Sequence, residues 1–194
     1  GIPSFVLEMK KRGWDAYALE LSRVQAKKIA IKIGKNKVYP GLFEKVKVPI
    51  NYFSAITFWH VLEHVKDPNK TLTKAKKVLE KGGKIFVEVP NVNSISWKLF
   101  KDNYDLLRVP EHLSYFSEKS LKILLSKNGF SNIKVNYPLK LNSAFASSAI
   151  NMLKRYKNKY VSDVLLVYLF YPFLPASLLL SVIASFWGKS EIIR

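Results

Sequence analysis

Three histidines and one glutamate carry most of the chemistry open to this chain. His60–Val61–Leu62–Glu63–His64 sets two imidazoles four residues apart around a carboxylate, and the third histidine, His112, lies in a later polar and aromatic stretch. On a helix, H-x-x-E-H holds a metal between its imidazoles with the glutamate as general base. Here the motif directly follows a strand-like apolar run, Tyr52 to Trp59, and no distal glutamate ligand is evident, so a zinc protease is set aside. The bland alternative is a group of polar side chains satisfied at a strand end. The active one is a base, since an imidazole near its unperturbed pKa can accept a hydroxyl proton. Glu20, nineteen positions after Gly1, is a second candidate. In nucleoside sites a Gly-rich turn precedes a helix, and an acidic residue about 20 positions on takes the ribose hydroxyls. A carboxylate suits that task because it accepts two hydrogen bonds from a diol. One glycine and one glutamate are equally compatible with a surface acid.

The elements that must position these residues can be read from periodicity. Asp67–Pro68 opens a helix as cap and first residue. Leu72, Ala75 and Leu79 share one face of it, while Lys70, Lys74, Lys77 and Lys81 share another. Gly82–Gly83 is read as its stop, and Ile85, Phe86, Val87 and Val89 as a buried strand ending at Pro90–Asn91. Strand, helix, strand makes a crossover with parallel strands, whose carboxyl ends are where open α/β sheets bind ligands. Before this unit, Ile2 to Arg12 reads as a helix stopped by Gly13, Trp14 to Leu19 as a strand, Ser22 as the cap of a second helix, and Lys37 to Tyr39 as a brief strand. After it, Ser117 caps a helix bearing Leu121, Leu124 and Leu125, and Phe130 to Tyr137 alternates as a strand. The order is that of a doubly wound α/β fold.

Composition narrows the class further. With 194 residues, 48% of them hydrophobic, the chain can bury a real core, and the absence of cysteine excludes disulfides and thiolate metal sites. The net charge of +18 suits solvated lysine-rich helix faces or an anionic membrane surface. Specific nucleic-acid recognition is disfavoured, because only five of the 32 basic residues are arginine. No signal peptide is evident at the first residues.

FSAITFWHVLEHVKDP, then LEKGGKIFVEVPN, then RVPEHLSYFSEKSLKILLSKNGF, resembles the class I S-adenosylmethionine-dependent methyltransferases, and among them the large group with a VLEH motif. The likeness runs to about residue 138. It implies a Rossmann-like, mostly parallel sheet, S-adenosyl-L-methionine as cofactor, and a first strand with most of a D-x-G-x-G loop preceding Gly1. By the same resemblance Gly1 ends the cofactor loop, Glu20 is the ribose ligand with Leu21 beside it, Gly41 and Leu42 flank the adenine, and Trp59 and His60 line the cofactor. Glu63, His64, Arg108 and His112 would then form the catalytic side facing the acceptor. Ser54 and Lys81 depart from the group's usual Asp and Pro. Some relatives hold a divalent metal on an E-x-x-E-H cluster. The equivalent here would be His60, Glu63, His64 and His112, a set suited to Zn or Mn, although the reading adopted assigns no metal and keeps the general base.

The tail differs in kind. Lys154, Arg155, Lys157 and Lys159 form a basic cluster, and Val164 to Trp187 is free of charge. Those 24 residues would reach about 36 Å as a helix, enough to cross a bilayer. Pro172 and Pro175 break the run, and the resemblance makes Phe130–Tyr137 and Glu191–Arg194 antiparallel neighbours, so the segment must return to the side it left. Two short helices, about 161–171 and 175–187, are expected on a membrane surface or over the substrate pocket. The divisions expected are 1–138 for the core, 139–190 for an apolar helical insertion and 191–194 for the start of the last strand. Together these features predict a methyltransferase acting on O or N of a small-molecule or lipid-linked, glycan-like acceptor, cytoplasmic or peripheral on the inner membrane face. A non-catalytic membrane-bound relative and a basic nucleic-acid-binding module are the alternatives.

Overall fold

The structure, a computed structural model, describes residues 4–137 and 144–155 and the separate positions 179, 182, 184, 185, 192 and 193. The expected start at Gly1 and the two helices over 161–171 and 175–187 therefore fall, wholly or almost wholly, outside the described residues.

The central unit is built from β3 (Phe53–Trp59), α3 (Pro68–Val78) and β4 (Leu79–Pro90). Asp67 caps α3, its carboxylate accepting from the Lys70 N–H at 2.9 Å, and Pro68 occupies the first turn, where its missing donor costs nothing. Leu72 and Ala75 are fully buried and Val78 nearly so, and they seal α3 against the sheet. β3 and β4 run parallel, with Ile56 opposite Ile85 and Phe58 opposite Val87. That is the crossover expected from the sequence. Its helix, however, ends at Val78 rather than at the glycine pair, and Leu79 already pairs with Phe53. Gly82 and Gly83 lie inside β4, where the register shifts between Leu79 and Lys84. Gly83 is required there because a Cβ would lie 3.0 Å from the Glu80 carbonyl oxygen and 3.1 Å from that of Phe53.

On one side of this unit stand α1 (Ser4–Lys11), β1 (Ala18–Glu20), α2 (Arg23–Ile33) and β2 (Val38–Pro40). β1 and β2 pair in parallel, Ala18 with Val38 and Glu20 with Pro40, over a small core of Ala26, Ile29 and Ile33 from α2. The two parallel pairs are hydrogen-bonded as separate sheets. Their seam is aromatic: Tyr17 lies 5.4 Å from Phe53 ring to ring, and its hydroxyl meets that of Tyr52 at 2.9 Å.

On the other side, β5 (Ile192–Ile193) adds antiparallel to β4, Ile193 opposite Val89. Phe130–Tyr137 differs from expectation. Its burial does alternate, with Ile133, Val135 and Tyr137 turned to the core, yet it forms no ladder, and the antiparallel neighbour of Ile192–Ile193 among the described residues is β4. Alternation reports which face is buried; it does not report which backbone lies alongside. The polar stretch after β4 contains α4 (Ile95–Phe100), and the segment that follows position 137 contains α6 (Ala144–Arg155). These pack together through Phe100, Tyr104 and Ala149, while the Ser148 hydroxyl accepts from the Asp105 N–H at 2.9 Å. α5 (Glu118–Lys127), capped by Ser117 as its sequence indicates, adds Leu121 and Leu125 to the main core. Among the described residues, no helix is long and apolar enough to cross a membrane.

Candidate functional site

The carboxyl ends of β1 and β2 form one rim. Glu20 closes β1 with its carboxylate turned to the start of α2, where it accepts from the Ser22 N–H at 2.9 Å. Its backbone carbonyl accepts from the Gly41 N–H at 2.9 Å, which ties the end of β2 to the end of β1. Gly41 has φ +125°, and a Cβ there would lie 3.2 Å from Val46, so this tight approach depends on glycine. Leu21 and Leu42 flank the pair with exposed apolar side chains. An acceptor carboxylate beside apolar surface suits a nucleoside, a diol joined to a flat base. Four of the residues expected to contact cofactor, Glu20, Leu21, Gly41 and Leu42, are thus brought together. Gly1 lies outside the described residues. Trp59 ends β3, half-buried, its ring 5.5 Å from that of Phe5 on α1.

His60 to His64 follow β3 on a tight turn rather than a helix, with the His64 N–H donating to the Val61 carbonyl at 3.0 Å. The helical zinc-protease geometry is therefore absent from this motif. His60, at φ +53°, is clamped between two buried carboxylates: Nδ1 lies 3.1 Å from Glu63 Oε1 and Nε2 lies 3.1 Å from Glu88 Oε1. Both ring nitrogens of His60 are thus engaged by carboxylates.

Glu63, His64 and His112 converge. One donor atom from each lies within 4.8 Å of the other two, and the two imidazole rings meet edge to face at 4.7 Å. The loop carrying His112 is held down by the Leu113 and Ser114 N–H groups, both donating to the Glu63 carbonyl at 2.7 and 3.1 Å. His64 Nδ1 lies 2.9 Å from the Glu111 carbonyl oxygen, and His112 Nδ1 lies 2.8 Å from that of Leu106. A carbonyl only accepts, so each Nδ1 carries a proton, and in the neutral imidazole the lone pair is at Nε2. Burial is the main reason the His112 imidazole is held below its usual pKa; repulsion from His64 and Arg108 adds to it, while the Leu106 hydrogen bond and Glu63 oppose it. Arg108 sits on the same loop, half exposed, with its guanidinium 3.9 Å from the Asp105 carboxylate. Its backbone carbonyl accepts from the His112 N–H at 2.7 Å, so its link to the cluster runs through the main chain.

Glu88 is the member that sequence reasoning missed. It is 2% exposed on β4, and the signal was present: a lone carboxylate inside the apolar run Ile85 to Val89. A shallow cavity between the start of α3 and α5, lined by Asp67, Asn69, Tyr115 and Ser120, contains none of the cluster residues.

Residues 1–135 match the family model described as "Methyltransferase domain". An uncharacterized protein of Methanocaldococcus jannaschii is 31% identical over 74 residues, covering 38% of this chain. The chain spans only 36% of the length of that curated relative. Among solved structures, the MccD protein superposes with a TM-score of 0.56 at 14% identity, over 95% of this chain and 79% of its own. A candidate sarcosine dimethylglycine methyltransferase of Galdieria sulphuraria gives 0.54 at 14% identity, over 96% of this chain and 80% of its own. At that identity these two likenesses speak for the fold, a Rossmann-like α/β sheet. With the family model spanning residues 1–135 of 194, the chain belongs to the methyltransferase domain family, whose S-adenosyl-L-methionine-dependent members make that molecule its cofactor.

Proposed function

We propose that this chain transfers a methyl group from S-adenosyl-L-methionine to an oxygen or nitrogen of a lipid-linked or glycan-like acceptor. The observation that carries the reading is a double convergence at strand ends. Glu20 and Gly41 are bonded together after β1 and β2, and Glu63, His64 and His112 gather after β3. The cofactor supplies an electrophilic methyl carbon on a sulfonium centre. Glu20 would hold the ribose hydroxyls, with Leu21 and Leu42 against the base. The acceptor's lone pair bonds to the methyl carbon as the carbon–sulfur bond breaks, and the acceptor's proton must leave. His64 or His112, whose Nδ1 is bonded to a backbone carbonyl, would take it at Nε2 of the neutral ring. Methyl transfer needs positioning and proton removal more than a crowded site, so two imidazoles and one carboxylate suffice. Arg108, at the mouth of the loop, would meet an anionic group of the acceptor.

The lipid-linked part rests on the basic residues Lys154 to Lys159 ahead of the uncharged run 164–187. Basic residues of this kind gain about 1 kcal/mol each at an anionic surface. Calorimetry with S-adenosylhomocysteine tests the cofactor half. Binding is expected for the chain and should fall at least about tenfold for Glu20→Gln, which loses a charged acceptor. Unchanged binding would remove Glu20 from the site. Sedimentation with anionic and zwitterionic vesicles tests the membrane half; equal partition into both would end the lipid-linked assignment.

A further inference from the structure

We propose that the outer face of α2 is a docking surface for an anionic lipid bilayer. This deepens the lipid-linked half of the proposed function and rests on that reading for its purpose. Its evidence lies in a different part of the chain from the basic tail.

Residues 21–43, from just after Glu20 to just before Glu44, contain no acidic side chain. Within that stretch α2 buries Ala26, Ile29 and Ile33. Val24, Lys27, Lys28 and Ile31 lie on the opposite side, at the i, i+3, i+4, i+7 spacing that forms one line along a helix. All four are exposed, Val24 at 64% and Ile31 at 86%. Arg23 and Lys32 flank the line, and Lys35 follows the helix. The Lys10 ammonium, in the last turn of α1, donates to the Lys32 carbonyl at 3.2 Å, so the basic end of α1 borders the same face.

A lysine-bearing helix face is ordinarily just a solvated one, and α3 shows that case. Its outer side carries Asn69, Lys70, Thr73 and Lys77, with no large apolar side chain exposed. On α5 the basic charge is offset, Glu118 pairing with Lys122 at 2.5 Å. The face of α2 differs from both: it sets apolar side chains out in water and surrounds them with unopposed positive charge. Apolar tips among clustered lysines suit a bilayer, where the tips enter the acyl boundary and the ammonium groups meet anionic headgroups.

Other occupants fit less well. A second copy of the chain would set lysine against lysine. Nucleic-acid readers favour arginine forks, and Arg23 is the single arginine of α2. Lysine is depleted in protein–protein interfaces. The face also adjoins the nucleoside rim, because Leu21, exposed at that rim, precedes Val24 by three residues. Docking here would hold the rim near the bilayer from which a lipid-linked acceptor is drawn.

The test is flotation of the full chain with vesicles of phosphatidylcholine alone and of phosphatidylcholine mixed equally with phosphatidylglycerol. The parent should bind the anionic vesicles and be released by added salt. Lys27→Glu/Lys28→Glu should lower that partition at least about tenfold, and Ile31→Ser at least about threefold. Lys70→Glu/Lys77→Glu makes the same charge change on α3 and should bind nearly as the parent does. These positions are exposed, so denaturant midpoints should stay parental. Parental binding by Lys27→Glu/Lys28→Glu, or an equal loss in the α3 pair, overturns the assignment. Parental binding by Ile31→Ser, or tighter binding to duplex DNA or polyglutamate than to vesicles at the same salt, overturns the bilayer as occupant. Lys157→Glu/Lys159→Glu reads the tail separately: loss there beside parental binding in the α2 variants removes this inference and leaves the lipid-linked reading standing. No preference for anionic vesicles in the parent removes both. The α2 variants should bind S-adenosylhomocysteine as the parent does, so a damaged nucleoside rim cannot be mistaken for a lost docking face.

Discussion

Glu63 shows how much a single side chain can hold together. Its carbonyl anchors the loop of His112, one carboxylate oxygen lies against His60, and the other is buried without a hydrogen-bond partner among the described residues. Its neighbour in sequence, His64, is exposed, which is the difference between a residue that sets geometry and one that can move. Another residue-scale device lies at Tyr137, whose hydroxyl donates to the Glu118 carboxylate. Burial first, and then that hydrogen bond, push the Tyr137 phenol up to about 12 from an ordinary 10.0. The fold thus favours the neutral phenol. The stability it contributes is complete below pH 10 and is lost as pH rises from 10 through about 12. Denaturant midpoints between pH 9 and about 12 should fall in the parent and fall less in Tyr137→Phe, which cannot ionise. Identical slopes would show that the pair does not couple to folding.

At the scale of elements, the crossover β3–α3–β4 carries a more deeply buried helix face than β1–α2–β2 does. Leu72 is fully buried between α3 and the sheet, so Leu72→Ala should lower unfolding free energy by about 2–5 kcal/mol in denaturant titration. Asp67→Ala removes only a cap and should cost about 1 kcal/mol. A reversed order of the two would mean that α3 is held by its end rather than by its face. Gly83→Ala places a Cβ against two backbone oxygens at the register shift in β4, and backbone does not yield as a side-chain tip does. A loss of about 1–3 kcal/mol is expected, read by the same titration. Lys74 illustrates why the lysine face of α3 is not uniform. Its ammonium donates to the carbonyls of Phe43 and Val46, both at 2.5 Å, and burial lowers its pKa. Periodicity had placed it with Lys70, Lys77 and Lys81 on a solvated stripe, but it serves as a clip between α3 and the segment after β2.

At the scale of the molecule, the seam between the two parallel pairs decides whether the nucleoside rim and the polar cluster stay in register. Tyr17 is its centre, in contact with Tyr39, Tyr52 and Phe53 and bonded by Lys37 at 2.8 Å. Tyr17→Ala should therefore release the β1–β2 pair first. In hydrogen exchange, amides of residues 18–40 should lose protection while those of β3 and β4 keep theirs. Uniform loss across both pairs would show one cooperative sheet instead. The same partition explains why α1 matters. Phe5 against Trp59 is a described contact from the first helix, whose Val6 and Leu7 pack on the α2 and β2 core, to the end of β3.

Much of this architecture is written locally. The caps at Ser22, Asp67 and Ser117, the buried face of α3 and the acid at the end of β1 follow from neighbours within one or two turns of chain. Short-range sterics and hydrogen bonding decide such features, and a sequence displays them directly. The meeting of His112 with His64 across 48 positions was not of that kind. It depends on two N–H groups of a distant loop finding the Glu63 carbonyl, a contact with no periodic signature. Likewise only the folded chain could show that His60 is occupied by two carboxylates, that Glu88 is one of them, and that β5 lies against β4 while 130–137 runs without a ladder. Residue type and spacing determined which chemistry was available and at which strand ends. Long-range packing alone chose which of those groups share a site, because partner selection across a sheet is set by what lies alongside in space.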